Sequence, residues 1–170
     1  MHRRTLFLVA VASVATGLIG QFSHAQDRND HLLITGVTDA KVTLQQGLTA
    51  AAKQGRPISG KFEVEDGKLQ LSIYTAKDGK FSELIVDHTT GNVAKSESIT
   101  EGEDLAEAKS QNAAMEKAKT DLKAVVDKSA AATPGSRAIS VTPALKDGRA
   151  IASVTLLAGQ QTKTVEQPLE

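Results

Sequence analysis

The chain has 170 residues, no cysteine, no tryptophan, one tyrosine and four phenylalanines, with 20 basic and 20 acidic side chains. The lack of cysteine excludes disulfides, thiolate nucleophiles and thiolate metal sites, and a balanced, mixed-sign charge gives no drive toward nucleic acid or an anionic membrane. With so few aromatic residues the core is aliphatic, and the anchors that usually build ligand pockets and interface hot spots are scarce.

The first residues have the layout of a signal peptide. His2, Arg3 and Arg4 precede an apolar run from Leu6 to Ile19, and Ser23 and Ala25 form a small-x-small cleavage pattern. The run is shorter than the roughly 20 apolar residues a spanning helix needs. Residues 1–25 are therefore read as a signal peptide cleaved after Ala25, which puts the mature chain in the periplasm or outside the cell with no membrane span. Losing Arg3 and Arg4 leaves 18 basic against 20 acidic side chains, a net charge of −2.

Residues 26–39, QDRNDHLLITGVTD, form a polar leader that is partly ordered at most. A helix then opens at Thr43, whose spacing to Gln46 is that of a capping box. Leu44, Leu48, Ala51 and Ala52 recur on one helical face, and Gly55 and Pro57 stop it. Three strands follow. Ile58–Glu65 turns at Asp66-Gly67, Leu69–Ala76 alternates apolar and polar and turns at Asp78-Gly79, and Phe81–Asp87 is the third. Short hairpins in sequence make an antiparallel meander, with the helix free to cover its apolar face.

The order then repeats. Thr100 and Glu103 have capping-box spacing ahead of a helix read from Glu103 to about Ala131, with Ala108, Met115, Leu122 and Ser129 recurring every seven residues. Thr133-Pro134-Gly135 ends it. Ala138–Leu145, Ala150–Leu157 and Thr162–Gln167 read as strands, with turns at Asp147-Gly148 and near Gly159. The fold class is α+β, as two tandem units of a helix plus a three-stranded antiparallel meander.

The stretch DHTTG, Asp87 to Gly91, concentrates an acid, a histidine and two hydroxyls. Neighbouring strand residues point to opposite faces, so Asp87 and His88 do not easily converge, and His31 is the only other histidine of the mature chain. The residues suit a turn instead: Asp87 and Thr90 capping amides and Gly91 supplying positive φ. No G-x-S-x-G elbow, phosphate loop or calcium loop is present. Glu63 and Glu65 share one strand face as solvated charge. No catalytic, cofactor-binding or metal-binding residue is assigned.

The segment from Val42 to Val93 resembles the PepSY domain of bacterial exported proteins. The resemblance rests on the helix TLQQGLTAAAKQ, the strands KFEVED, KLQLSIYTA and KFSELIVD, and the ending Asp87-x-x-Thr90-Gly91. Gly47 departs from it where alanine would be usual, at a cost to the helix of about 1 kcal/mol. The second half matches in layout only and lacks that ending. The resemblance implies a PepSY-like domain over 40–99 and a diverged second copy over 100–170. It also implies a non-enzymatic role that binds or modulates a protein or peptide partner, such as a peptidase, in the envelope. The surface in question is expected on Leu69–Ala76 and Phe81–Asp87, or at a sheet edge; the alternative is that Lys61, Lys68 and Lys80 guard such edges against pairing. Other readings are a structural or sensory envelope protein and an enzyme with an unrecognised site.

Overall fold

Turn chemistry lays out the strands. Asp66-Gly67, Asp78-Gly79 and Asp147-Gly148 each hold two successive residues at positive φ (51° and 73°, 51° and 72°, 52° and 79°). That pair of left-handed residues matches the twist of a two-residue hairpin. The structure, a computed structural model, describes residues 23–170, with side chains from Arg28 onward. The expected signal peptide therefore lies almost wholly outside the described residues, and the expected cleavage point after Ala25 falls in the first turn of a helix.

In chain order the elements are α1 (Ser23–Asp39), α2 (Leu44–Ala51), β1 (Arg56–Glu65), β2 (Lys68–Lys77), β3 (Lys80–Val86), β4 (Val93–Ile99), α3 (Gly102–Lys117), α4 (Leu122–Ala131), β5 (Arg137–Lys146), β6 (Arg149–Ala158) and β7 (Gln161–Pro168). The class is α+β, with all the described strands in one antiparallel seven-stranded sheet of order β4-β3-β2-β1-β5-β6-β7. The expected three-stranded meanders are parts of this one larger sheet, to which β4 adds a strand that was not expected. The first strand of each half, β1 and β5, meet antiparallel through Gly60 opposite Val141 and Lys61 opposite Ser140. The two halves thus run outward in opposite directions from a shared centre. The correspondence extends to detail. The ladder slips between Pro57 and Ser59 in one half and between Ala138 and Ser140 in the other.

Helices α1, α2 and α4 share one face of the sheet. Thr43 caps α2, with Gln46 N donating to its hydroxyl (3.2 Å) and Thr43 N donating to Gln46 Oε1 (2.8 Å). Leu44, Leu48 and Ala51 are buried, whereas Ala52 is exposed at the C-cap. Gly47 is buried too, and a Cβ there would lie 2.8 Å from Leu71 Cδ2. The glycine that lowers helix propensity is what lets α2 sit close on β2. Gly60 does the same from the sheet side, since a Cβ there would stand 2.7 Å from Ile73 Cδ1 and 3.2 Å from Leu44 Cδ1. The core between these layers includes Leu44, Leu48, Ile58, Leu71, Ile73 and Leu84, and continues through Leu122, Val126, Val154 and Leu156 as a single cluster. Each such aliphatic side chain contributes about 1.5–3 kcal/mol when fully buried.

Three expectations are corrected. Residues 26–39 belong to α1, which packs Val37, Leu33 and Ile34 on the core. Gly36 permits this, because a Cβ there would sit 3.0 Å from the Leu69 side chain. The span from Glu103 to Ala131 is two helices, not one. Ala118 is extended (φ −70°, ψ 138°), and Asp121 starts α4 by accepting from Ala124 N at 2.7 Å. Ala108, Met115, Leu122 and Ser129 are all buried, but on opposite sides of the sheet. Helix α3 crosses the other face, where Ser59 Oγ donates to Gln111 Oε1 (2.6 Å) and Arg56 Nη1 to the Met115 carbonyl (3.2 Å). Glu101 is the N-cap of α3 and makes no side-chain cap, so the Thr100–Glu103 capping box is absent.

Candidate functional site

The turn from β3 to β4 is built around Asp87. Its Oδ1 accepts from Thr89 N at 2.7 Å and Thr90 N at 2.9 Å. Those two amides, Thr90 first, hold the carboxyl below its usual range. Gly91 N donates to the Asp87 carbonyl (2.8 Å), and Asp87 N donates to the Asn92 carbonyl (2.9 Å). Thr90 Oγ1 accepts from Asn92 N at 3.4 Å. Gly91 has φ +79°, and its Cα hydrogens face Val42. Asp87, Thr90 and Gly91 therefore converge on one turn, and the carboxylate is committed to backbone amides.

His88 works through its backbone. Its carbonyl accepts from Lys41 N and Val42 N, both at 3.0 Å, which docks the turn on the α1–α2 linker. Its ring lies half-buried, with Nδ1 out of solvent and without a hydrogen-bond partner. No hydrogen bond joins the His88 ring to the Asp87 carboxylate. Among the described residues no group of three His, Asp or Glu side chains is placed to hold a metal ion. His31 is exposed on α1.

Across the α3 side of the sheet lies a polar layer. Lys61 Nζ pairs with Glu63 at 2.7 Å and stands 5.8 Å from the Tyr74 ring centre. Ser72, fully buried, donates to Glu63 Oε1 (2.7 Å) and accepts from Gln70 Nε2 (2.9 Å). Tyr74 OH donates to Glu83 Oε1 at 3.4 Å. Burial, followed by the charges of Glu83, Glu63 and Asp104, pushes the Tyr74 phenol far above its ordinary value. Register carries the layer outward, with Ser72 opposite Ile85 and Ile85 opposite Lys95.

At the turn end of this face the surface sinks into an open groove of about 870 Å³, walled by Lys68, Gln70, Ile85, His88, Lys95 and Glu97 among others. The expected surface on Leu69–Ala76 and Phe81–Asp87 divides by alternation. Leu71, Ile73, Leu84 and Val86 belong to the core, while Gln70 and Ile85 reach the groove. The outer wall is β4, which sequence reasoning missed. Only Val93 and Ile99 of that strand are large and apolar, so its alternation was weak, and Gly91-Asn92 ahead of it was the one available signal.

The expected edge guards are not at edges. Lys61 sits in β1 at the centre of the sheet, and Lys68 and Lys80 open β2 and β3, which have neighbours on both sides. The true edges are β4, carrying Lys95 and Glu97, and β7, carrying Lys163 and Glu166. No helix among the described residues is long and apolar enough to cross a membrane. Comparison with known protein families, with curated proteins and with solved structures finds no match to this chain.

Proposed function

We propose that this is an exported, non-enzymatic protein of the periplasm or extracellular space, built as two PepSY-like units, that binds and modulates a protein or peptide partner. The observation that carries this reading is the groove over β2, β3 and β4. It is open, with a volume of about 870 Å³, and its walls offer both charge signs beside an aliphatic floor at Ile85. Such a surface suits side chains of a peptide better than one small molecule, because no aromatic residue closes over it. The two-unit reading is supported by the paired register slips and Asp-Gly turns of the two halves. The peptidase as partner class comes from the resemblance of Val42–Val93 to PepSY domains.

The test is capture of the partner from an envelope extract, with the full mature chain as bait and Ile85→Arg as its control. The variant places a charge on the groove floor and leaves the buried core alone. It is expected to melt within a few degrees of wild type and to lose the partner. Equal capture by both proteins overturns the groove as the binding surface. A captured peptidase whose rate is unchanged by the wild-type protein overturns modulation.

A further inference from the structure

Strand β4 is an edge whose sequence is complementary to itself. Read from both ends, Val93-Ala94-Lys95-Ser96-Glu97-Ser98-Ile99 matches apolar with apolar, small with small, and cation with anion around Ser96. When two copies of one strand pair antiparallel about a twofold axis normal to the sheet, the axis passes midway between a residue and its own copy, which face each other. Centred on Ser96, that pairing sets Lys95 opposite the second copy's Glu97, Glu97 opposite its Lys95, and Val93 opposite its Ile99.

The neighbouring strand favours the same arrangement. Glu83 of β3 lies directly across from Glu97. Lys95 pairs with Glu97 along the strand at 2.7 Å. The second copy's Lys95 falls next in the row formed by Glu83 and Glu97. The other edge lacks this property. In β7, Lys163 and Glu166 are an odd number of residues apart, so no residue-centred axis brings them opposite each other. Glu166 is also held by Lys146 at 3.0 Å, and Pro168 has no N–H to donate.

We propose that β4 pairs with β4 of a second copy of this chain, joining the two sheets into one. The partner-binding groove then continues across the twofold axis, since Lys95 and Glu97 wall it in each copy. The pairing stands independently of what the groove binds.

Sedimentation equilibrium of the full mature chain tests this with charge variants. Wild type is expected to associate reversibly to a dimer. Lys95→Glu, and separately Glu97→Lys, place like charges opposite each other, and each is expected to raise the dimer dissociation constant roughly tenfold or more. Mixing those two variants restores opposite charges and is expected to give a heterodimer, and the double variant Lys95→Glu/Glu97→Lys is expected to dimerise as wild type does. Lys163→Glu on β7 is expected to leave the dimer intact. A wild type that stays monomeric overturns the proposal, leaving β4 free for a foreign strand. So do variants that fail to complement on mixing and a dimer lost with Lys163→Glu.

Discussion

The carbonyls of His88 and Leu169 hold equivalent positions in the two halves of the molecule. His88 accepts from Lys41 N and Val42 N just ahead of the Thr43 cap of α2, and Leu169 accepts from Lys119 N (2.6 Å) and Thr120 N (3.0 Å) just ahead of the Asp121 cap of α4. In each half, a residue one or two positions past the third strand fixes the entry to the helix that covers the sheet. The equivalence is in the backbone, so the side chains are free to differ. Leu169 is fully buried, whereas the His88 ring keeps an unpartnered Nδ1.

Leu169 and His88 therefore respond differently to substitution. Leu169→Ala removes a buried side chain near the chain end and is expected to cost about 2–5 kcal/mol. His88→Leu removes a buried nitrogen that has no partner to lose. It is expected to leave stability unchanged or raise it by up to about 1–3 kcal/mol. Urea unfolding midpoints of both variants measure this, and a large loss in His88→Leu would show that the ring bears more than its contacts indicate.

Gly47 sets helix propensity against packing. Alanine there gains about 1 kcal/mol of propensity but drives a Cβ to 2.8 Å from Leu71 Cδ2 in the core, and overpacking typically costs about 1–3 kcal/mol. Gly47→Ala is expected to be net destabilising. In a double-mutant cycle with Leu71→Val, the second change is expected to recover part of that loss. Additive effects would mean that Leu71 gives way freely.

Tyr74 supplies an optical probe, since it is the only tyrosine and the chain has no tryptophan. Its phenol is held neutral by burial and by the nearby carboxylates. The folded value is raised, so the contribution to stability is complete below the ordinary tyrosine value of about 10 and is lost as pH rises above it. Phenolate absorbance is expected to appear together with unfolding, as followed by circular dichroism, in one alkaline transition. Phenolate that forms near the ordinary value in a chain still folded would contradict the burial.

Asp87 has the opposite sign. Its folded value is lowered, so its contribution is present above the ordinary carboxylate value of about 4 and is lost as pH falls through the lower value. The difference in melting temperature between wild type and Asp87→Asn is expected to be largest near neutrality and to shrink in acid. A constant difference would assign the effect to shape alone. Gly91→Ala, at φ +79°, is expected to cost about 1–2 kcal/mol at every pH.

Much of this architecture was legible in local chemistry. The Asp-Gly pairs located the hairpins, the Thr43–Gln46 spacing located a cap, and alternation in Leu69–Ala76 chose the buried face. What escaped was decided by long-range contacts. The break after Lys117 depends on the Leu169 carbonyl, some fifty residues away in sequence, and the heptad pattern continued unchanged across it. The role of Gly47 depends on Leu71 of a strand not yet formed when the helix is read alone. Strand β4 has an edge strand's composition, with little apolar content to mark it. At the candidate site, the residues of the Asp87 turn could be named from sequence. The groove could not, because β4 forms one of its walls.

The central claim is that a partner lies along the groove of β2, β3 and β4. Amide hydrogen exchange of the chain, with and without the captured partner, tests it most directly. The account predicts added protection at Gln70, Ile85 and the residues around Lys95, with β7 unchanged. Protection confined to β7, or to the face covered by α1, α2 and α4, would contradict it.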